Sequence, residues 1–418
     1  MAKSATAVEH TIQMPIKTPH EKQRELVFGK AKRLIVCAGR RAGKTAGLSI
    51  KAARRFAEGR RILYAAPTQE QTARFWQEVT MTLEPAIASG ALRMNRSTRL
   101  IENRANPINA IRAKTAWNAD TLRGDYADEL ILDEWQLMNE DAWEQVGAPM
   151  LMDNDGNATF LFTPPSIFSR TVSKAQDKRH AIKMFKAAEH LDGWERLHFT
   201  SYDNPHISRD GLAAAKRDML DIKYRMEIMA EMLEDAPNAL WQRALFGSDR
   251  YRPAPQLTRI VVGVDPSGSR SGDEVGIVVV GKDVRNRLYV LEDATLSQAS
   301  PLEWATGVAG MYRKHKADLI VAETNFGGDM VKATLDQVNR GLPFRAVSAS
   351  RGKAIRAQPI AALYAQEDRV YHTQAFGELE DQLCMWTPDS QWSPDRMDAL
   401  VWACTELVEG TDREWGFF

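Results

Sequence analysis

Short apolar runs alternate with amphipathic stretches through the first 165 residues of the chain. The apolar runs that predict buried strands lie at 33–37, 62–65, 130–132 and 158–162. The amphipathic stretches that predict helices lie at 44–58, 69–85 and 139–146. Strands that alternate with helices are typical of a parallel sheet, so this region is predicted to be an α/β domain.

A different pattern follows this region. Residues 207–234 predict one long helix, and three prolines within 235–257 interrupt the periodicity and indicate an interdomain connection. The strands predicted beyond it lie at 259–264, 275–281, 287–292, 318–322 and 343–347, and the helices lie near 301–315 and 329–340. Three consecutive strands followed by βαβ units indicate a mixed sheet.

Length and composition bound the class of protein. A chain of 418 residues exceeds what a single hydrophobic core usually fills, so two domains are expected. The 44% hydrophobic and 26% charged residues are typical of a folded chain and exclude a disordered one. No apolar run approaches the roughly 20 residues of a membrane span, and the N-terminus lacks the apolar core of a secretory signal. We therefore expect a cytoplasmic protein with no membrane contact.

The charged residues and cysteines narrow the chemistry. The balance of 55 basic and 55 acidic residues excludes a simple polycation that coats nucleic acid. Residues 1–61 nevertheless hold 15 Lys or Arg against four acids, which fits either a solvated basic helix or a surface that faces a polyanion. Cys37, Cys384 and Cys404 have no zinc or disulfide spacing and are predicted core residues. The histidines are scattered and form no pair with metal-binding spacing. Any bound metal is therefore expected to have oxygen ligands.

The sequence RLIVCAGRRAGKTAG at 33–47 joins a predicted strand to a predicted helix through a glycine-bearing turn. Glycines let backbone N–H groups converge on phosphate oxygens, and the helix N-terminus adds positive potential. Lys44 would reach the terminal phosphates, and Thr45 would hold Mg²⁺. Ala38 stands where the usual motif has its first glycine. The residues predicted to bind nucleotide here are Gly39, Arg40, Arg41, Ala42, Gly43, Lys44 and Thr45.

A second motif supplies the acids that a phosphate loop needs. The apolar run at 130–132 leads directly into Asp133 and Glu134. Asp133 would bind Mg²⁺ through water, and Glu134 would orient and activate the attacking water. Thr163, at the end of a later strand, is placed to sense the nucleotide. The candidates to neutralise charge on the γ-phosphate are Arg40, Arg41 and Arg123.

Three acids of the second half lie at the ends of apolar elements. Asp265 and Glu323 end predicted strands, and Asp398 lies near the start of an apolar helix. Such a set suits two divalent ions about 4 Å apart, which cleave a phosphodiester by in-line displacement. Asp273 is a further candidate ligand, and Asp395 competes with Asp398 for the third position. Two basic residues fit either a DNA-phosphate contact or a solvated stretch, namely Lys353 and Arg356.

The ordered motifs AGRRAGKT, ILDE, FLFTPPS, SYDNP, GVDPSG, AETN and DRMDALVWA resemble those of the large terminase subunit of tailed bacteriophages, from about residue 16 to residue 409. The resemblance implies an N-terminal P-loop (ASCE-type) ATPase with a parallel-rich sheet and a C-terminal nuclease of RNase H-like fold with a mixed sheet. The implied divisions are 1–234 for the motor domain, with a helical lid or linker subdomain at about 167–234, then 235–257 for the linker and 258–418 for the nuclease.

By this resemblance the chain would be a viral DNA-packaging motor, which hydrolyses ATP to move duplex DNA into a procapsid and cuts the concatemeric genome. It implies ATP and Mg²⁺ in the first domain, and two ions of Mg²⁺ or Mn²⁺ in the second. The implied partners are double-stranded DNA, a small terminase subunit, the portal protein and further copies of the chain in a ring, with a pentamer as one possibility. The implied location is the host cytoplasm, at the portal.

The resemblance also assigns roles to residues. It implies phosphate-loop roles for Lys44 and Thr45, metal binding by Asp133, base catalysis by Glu134 and coupling by Thr163. The residues that match the nuclease carboxylates are Asp265, Glu323 and Asp398. Gln23 matches a glutamine that often contacts adenine, and Arg123 lies in an Arg-Gly element that can supply an arginine finger to a neighbouring subunit. The segment PPSIFSRT after Thr163 departs from the commoner Pro-Lys-Gly continuation, which leaves the details of coupling open.

Two other functions are compatible with the same motifs. A helicase-like DNA repair or recombination ATPase would carry an appended module in its second half, and strand separation would distinguish it from a packaging motor. A non-catalytic nucleic-acid scaffold would use nucleotide only as a switch. Loss of turnover with retained binding in a Glu134→Gln variant would exclude that scaffold.

Overall fold

The computed structural model describes residues 14–165, 173–266, 274–324, 328–348, 352–390 and 392–409. The chain divides into two compact units, with the boundary between Met232 and Leu233. In the part of the chain that the structure describes, no helix combines the length and the apolar character that crossing a bilayer requires.

The first unit alternates strands and helices. Its strands are β1 (Arg33–Ala38), β2 (Ile62–Ala66), β3 (Leu92–Asn95), β4 (Leu100–Asn103), β5 (Ala110–Thr115), β6 (Glu129–Leu132), β7 (Asn157–Phe162) and β8 (Trp194–Phe199). Its α-helices are α1 (Glu21–Phe28), α2 (Lys44–Ala57), α3 (Gln69–Ala88), α4 (Ala148–Met152), α5 (His180–Ala187), α6 (Arg209–Asp218) and α7 (Asp221–Glu227).

These strands form one sheet in the order β3-β4-β5-β2-β6-β7-β1-β8. All neighbours from β5 to β8 are parallel, and only the short strands β3 to β5 pair in the antiparallel sense. The predicted parallel-rich α/β fold is therefore confirmed, although the strands β3, β4, β5 and β8 were not predicted. Because β1, β2, β6 and β7 run in one direction, their carboxyl ends share one edge of the sheet, where α/β proteins bind ligands.

Both faces of this sheet are buried. Along β1, Leu34 and Val36 belong to one apolar cluster, and Ile35 and Cys37 belong to another. Successive strand residues point to opposite faces, so helices cover the sheet on both sides, which gives a continuous apolar run rather than an alternating one. The three cysteines of the chain are free and buried, as predicted.

The single helix predicted over 207–234 is wrong. The chain forms the two short helices α6 and α7, and the residues between them, Met219 and Leu220, are extended. After α7 the backbone bonds elsewhere, because the Glu227 carbonyl accepts from the Arg40 N–H and the Ile228 carbonyl accepts from the Ser201 N–H, at 2.7 and 2.9 Å. The first carbonyl supports the turn after β1 and the second supports the segment after β8, so neither continues a helix.

The second unit begins with strands and then alternates. Its strands are β9 (Leu257–Asp265), β10 (Glu274–Asp283), β11 (Leu288–Asp293), β12 (Leu296–Ser297), β13 (Leu319–Glu323), β14 (Phe344–Val347) and β15 (Val370–His372). Its helices are α8 (Pro301–His315), α9 (Gly328–Val338), α10 (Lys353–Ala365), α11 (Gly377–Met385) and α12 (Asp395–Glu409). The sheet order is β14-β13-β9-β10-β11-β15, with β12 beside β10. Antiparallel pairs around β10 and parallel pairs at β13 and β15 confirm the predicted mixed sheet.

The segment 235–257, which the sequence predicts as an interdomain linker, packs into the second unit. Trp241 is fully buried in that unit's apolar core, and Phe246 is 7% exposed. The Arg250 guanidinium donates to the carbonyls of Val370 and Tyr364 at 2.7 and 2.9 Å. This packing was not predictable from hydrophobic periodicity. Prolines and short 3₁₀ turns give the buried residues neither helix nor strand spacing.

Candidate functional site

The turn between β1 and α2 has the geometry of a phosphate-binding loop. Gly43 precedes the first residue of α2 and takes a left-handed conformation with φ of 92°. A side chain there would place a Cβ atom 2.5 Å from Nε2 of Gln23, so glycine is needed for both conformation and space. Ala38 is an ordinary strand residue paired with Phe199, which explains why the usual first glycine is not required at that position.

The loop is held in place by a later segment of the same unit. The Gly39 N–H donates to the Phe199 carbonyl at 3.1 Å. A Cβ atom on Gly39 would lie 2.4 Å from the carbonyl oxygen of Ile228, so this glycine permits a close backbone approach. The Arg40 guanidinium pairs with the Glu227 carboxylate. Residues distant in sequence therefore fix the loop from outside.

Lys44 lies at the base of the loop, where the groups that its ammonium contacts are neutral. It is 8% exposed, and its ammonium contacts the carbonyls of Ala38 and Gly39 at 3.3 and 3.4 Å and the hydroxyl of Thr163. The Thr163 hydroxyl in turn donates to the Ala38 carbonyl at 2.9 Å. The structure thus brings Lys44 and Thr163 together, and the partners it records for the ammonium carry no formal charge.

Asp133 lies one residue beyond β6 and is 3% exposed. The Tyr64 hydroxyl, from β2, donates to Asp133 Oδ2 at 2.8 Å, and the Tyr64 ring stacks on Phe75 at 3.7 Å between centroids. Burial, followed by the neighbouring Glu134 carboxylate, raises the pKa of Asp133 to about 6. An added positive charge would relieve this penalty, so the residue suits a divalent cation.

Glu134 begins the turn after Asp133 in a left-handed conformation, with φ of 54°. Gln136, two residues later, donates from Nε2 to Glu134 Oε2 at 2.7 Å. Both residues line the same cleft as Lys44. The predicted base and the predicted phosphate-binding lysine therefore lie at one site.

This cleft has a volume of about 810 Å³. That size is within the range of about 300–1,000 Å³ for ligand pockets. The predicted residues that line it are Arg40, Arg41, Gly43, Lys44, Thr45, Glu134 and Thr163. Lining residues that the sequence did not indicate include Gln71, Arg74, Gln136, Ser173, Lys178, Asn204 and His206. Asp133 lies behind the lining, because it is buried against Tyr64.

A second candidate site lies at one end of the sheet of the second unit. β9 and β13 are parallel neighbours with Ala322 opposite Val264, so Asp265 and Glu323 follow at matching ends. Helix α12 supplies Asp398 from its first turn. The sequence prediction that separate elements deliver these three acids to one region agrees with this topology.

Two glycines set the distance between α12 and the sheet. A Cβ atom on Gly263 would lie 2.1 Å from the carbonyl oxygen of Ala399, and one on Gly276 would lie 2.0 Å from that of Asp395. Gly276 stands opposite Asp265 in the β9–β10 pair. Any larger residue at either glycine would push the helix away from the sheet. The glycines therefore allow the acids of α12 to approach Asp265.

Cationic side chains neutralise two of these acids. Lys353 Nζ lies 2.6 Å from Asp398 Oδ2, and Arg356 Nη2 lies 3.2 Å from Asp398 Oδ1 and 3.6 Å from Glu323 Oε2. The indole of Trp402 also donates to Glu323 Oε2 at 2.9 Å. Burial, and then the carboxylates of Asp398 and Asp395, raise the pKa of Asp265 well above its ordinary value.

The donor chemistry fits a divalent cation, because such ions prefer carboxylate oxygens, and because an added positive charge would relieve the burial and the neighbouring acids that raise the pKa of Asp265. Within the described residues, however, no three Asp, Glu, His or Cys side chains are grouped closely enough to hold a metal ion. Lys353 and Arg356 hold the carboxylates as counter-charges instead. The two-metal arrangement stays a prediction.

Models of known families match both units. A model described as "Terminase large subunit, T4likevirus-type, N-terminal" matches residues 35–247. The chain belongs to the large terminase subunit family. A second model, "Terminase RNaseH-like domain", matches residues 262–407 and confirms the predicted RNase H-like class of the second unit. These matches do not favour the helicase-like alternative.

Individual terminases align over part of their length. The large terminase subunit of Thermus virus P23-45 is 30% identical over 167 residues, which cover 36% of this chain and 34% of that protein. The chain thus spans about a third of the curated relatives it matches. The Thermus phage P74-26 large terminase ATPase domain is 23% identical with a TM-score of 0.42, and covers 52% of this chain and 94% of its own. The HK97 bacteriophage large terminase is 13% identical with a TM-score of 0.46, and covers 93% and 95%.

Gln23 of this terminase supports the phosphate loop from behind. Its Nε2 donates to the Gly43 carbonyl at 2.8 Å, and its Oε1 accepts from the His20 N–H at 3.0 Å. His20 Nε2 lies 3.0 Å from the Ala42 carbonyl. The amide of Gln23 is thus engaged within the protein, and its contact with adenine stays a prediction.

Three other predicted residues occupy different settings. Arg123 pairs with Asp120 at 2.6 Å, its side chain is 59% exposed, and it does not line the cleft, so its role as a finger toward another subunit stays a prediction. Asp395 is 6% exposed and acts electrostatically on Asp265 together with Asp398, so both acids belong to the cluster. Asp273 lies outside the described residues.

The sequence did not indicate Tyr64, Gln136 or Arg74 as site residues. Tyr64 reaches Asp133 because β2 and β6 are adjacent parallel strands, with Tyr64 opposite Ile131. Arg74 lines the cleft from α3. The strand order was the missing signal, since a tyrosine within an apolar run is otherwise typical of a core residue.

Proposed function

We propose that this terminase is a viral DNA-packaging motor with its own nuclease. ATP hydrolysis in the first unit would drive duplex DNA into a procapsid, and a metal-dependent endonuclease in the second would cut the concatemeric genome. The observation that carries the proposal is the meeting of Lys44, Glu134 and Thr163 at one cleft. Membership of the terminase family supports the coupling of this site to DNA.

In the ATP site, Lys44 and the backbone of the loop bind the phosphates. Thr45 and Asp133 would hold Mg²⁺, which, when bound, supplies positive charge next to the β- and γ-phosphates. Glu134 accepts a proton from the attacking water as the water oxygen bonds to the γ-phosphorus, and the bond to ADP breaks. Arg40 or Arg41 in the cleft, or Arg123 from a neighbouring copy, would neutralise the developing charge.

In the nuclease site, Asp265, Glu323 and Asp398 would hold Mg²⁺ or Mn²⁺, with Asp395 as an alternative to Asp398. The bound ions supply the charge that activates water and stabilises the leaving oxygen. Lys353 and Arg356 would leave the carboxylates and contact the DNA phosphates, because their counter-charge role would pass to the metal.

The proposed partners are double-stranded DNA, a small terminase subunit, the portal protein of the procapsid and other copies of this chain in a ring. A ring is proposed because Arg123 is exposed and outside its own cleft, as a residue that acts on a neighbouring subunit must be. The proposed place of action is the portal in the host cytoplasm.

The test combines ATP hydrolysis and plasmid cleavage by the full chain. Wild type is expected to hydrolyse ATP faster with duplex DNA and to cut supercoiled plasmid with Mg²⁺ or Mn²⁺. Lys44→Ala should lose only hydrolysis, and Asp265→Ala should lose only cutting. Lys30→Ala and Asp389→Ala, at exposed positions, are the matched controls. Strand separation with no cutting under either metal would instead support the helicase-like function.

A further inference from the structure

The turn after β6 is held rigidly by its neighbours. Trp135 is fully buried, and its ring packs against Phe160 and His180 at centroid distances of 5.4 and 4.8 Å. The Glu134 carbonyl accepts from the Leu137 N–H at 2.9 Å, which closes the turn. A left-handed residue other than glycine persists only where its surroundings determine the conformation, and such residues are concentrated at functional sites. The backbone of Glu134 is therefore fixed before any ligand arrives.

Gln136 is the polar side chain that this turn places beside Glu134. Its Nε2 donates to one carboxylate oxygen of Glu134 at 2.7 Å. Because Gln136 is only 7% exposed, little water competes for this bond. A donor on Oε2 limits rotation of the carboxylate and leaves Oε1 available for another partner.

The other half of the Gln136 amide has no such partner. Its Oε1 atom is buried and, among the residues that the structure describes, accepts no hydrogen bond. A flipped amide would not help, because Oε1 would then face the Glu134 carboxylate and the donor would be lost. A buried carbonyl oxygen without a donor destabilises a fold. The amide at this position therefore serves Glu134 rather than the stability of the unit.

We propose that Gln136 is a positioning residue for ATP hydrolysis, which orients the Glu134 carboxylate toward the attacking water. The inference rests on the proposed ATPase function. Gln136 acts through Glu134 and needs no contact with the nucleotide. Without its Nε2 donor the carboxylate would sample more orientations, so the proton acceptor would be placed correctly in a smaller fraction of enzyme–ATP complexes. Binding of ATP by Lys44 and the loop would not change.

The decisive variant is Gln136→Met, which keeps the length of the side chain and removes both the donor and the unpaired oxygen. We expect kcat to fall about 10- to 100-fold. The KM for ATP should stay within about twofold, because no ground-state contact is lost. The thermal unfolding midpoint should be equal to or above that of wild type. Turnover is thus expected to fall without any loss of stability.

Two further variants sharpen the test. Gln136→Glu places a second carboxylate beside Glu134 and is expected to lower kcat more than Gln136→Met does. Gln145→Met is the matched control, since Gln145 also donates to an acid, Asp141 at 2.8 Å, but on the exposed surface. It should leave kcat unchanged. In a Glu134→Gln background, Gln136→Met should cause little further loss, because the group that it positions is already removed.

Unchanged turnover in Gln136→Met would overturn the inference. So would a fall in kcat that is matched by a fall in the unfolding midpoint, since that result indicates a structural role. Absence of ATP hydrolysis by the wild-type chain, with or without DNA, would instead overturn the proposed function, and this inference with it. The wild-type assay therefore separates the two failures.

Discussion

The charged residues of the two candidate sites have different kinds of partner. In the first unit, Lys44 contacts two carbonyls and the hydroxyl of Thr163, and Asp133 accepts from the neutral hydroxyl of Tyr64. In the second, Asp398 pairs directly with the side chains of Lys353 and Arg356. Lys44 and Asp133 of the first site thus have neutral partners, whereas Asp398 of the second is already paired with cations.

This difference determines whether a site must break an ion pair before its ligand can bind. A magnesium nucleotide carries a divalent cation and negatively charged phosphates, so it can satisfy Asp133 and Lys44 together without breaking an ion pair of either residue. A divalent ion at Asp398 has to displace Lys353 or Arg356 first. We therefore expect nucleotide to bind a prepared site, and metal binding at the second site to require the side chains of Lys353 and Arg356 to leave Asp398.

Glu134→Gln is expected to have the largest effect and would show that the two sites work independently. The change removes the proton acceptor but keeps the shape of the side chain, so ATP turnover should fall by about 10²–10⁴-fold. Nucleotide affinity and metal-dependent plasmid cutting should remain. Steady-state hydrolysis, nucleotide titration and a gel assay measure the three quantities. Equal loss of hydrolysis and cutting would contradict the separation of the sites.

Gly276→Ala is expected to destabilise the second unit alone. The new Cβ atom would lie 2.0 Å from the Asp395 carbonyl oxygen, so α12 must move, at a cost of about 3 kcal/mol in unfolding free energy. Urea unfolding measures this loss, and ATP hydrolysis reports on the first unit. Gly310→Ala in α8 is the control, because a Cβ atom there meets nothing within 4 Å. Comparable stability of the two variants would rule out the close approach of α12.

A pH-dependent change in stability is expected from Asp133. Because burial and then Glu134 raise its pKa to about 6, the folded chain binds this proton more tightly than the unfolded chain does. The ionised carboxylate therefore destabilises the nucleotide-free fold above pH 6, and this penalty disappears as the pH falls toward 4. Asp133→Asn should raise the unfolding free energy by about 2 kcal/mol at pH 7.5.

Urea unfolding at pH 7.5 and pH 4.5, without nucleotide or metal, checks this expectation. The gain from Asp133→Asn should be much smaller at pH 4.5, where the wild-type carboxyl is mostly protonated. A gain of the same size at both values would show that the carboxylate's charge is not the cause.

Lys353→Met is expected to have the smallest effect and tests the paired charges of the second site. With the ammonium gone, no lysine competes with the metal for the Asp398 carboxylate, so the dissociation constant for Mn²⁺ should fall on the order of tenfold. Calorimetric titration of the nucleotide-free chain measures it. Lys332→Met, at an exposed position of α9, is the control, and Asp265→Asn identifies the site. Weaker binding by Lys353→Met would mean that the lysine helps to hold the metal.

Local patterns in the sequence predicted the elements that deliver the site. Gly43 and Lys44 follow an apolar run, and Asp133 and Glu134 follow another, so the carboxyl ends of two parallel strands were predictable from spacing alone. Glu323 was predictable in the same way. The family matches confirm the fold class that these motifs implied.

The supporting contacts could not be predicted, because they depend on which strands and segments become neighbours. Tyr64 supports Asp133 only because β2 lies beside β6. The break in the predicted helix at 207–234 arises because the Glu227 carbonyl bonds to Arg40, nearly 190 positions earlier. The counter-charge role of Lys353 likewise needs α10 beside α12, and no local spacing specifies that contact.

The packing of 235–257 determines where a recombinant fragment of the second unit should begin. A recombinant fragment that starts at residue 258 would lose Trp241 from its core and the guanidinium of Arg250 from the carbonyls of Val370 and Tyr364. A fragment that starts at Leu233 keeps both. The proline-rich stretch that looks dispensable is therefore part of what a fragment of the second unit would need in order to fold.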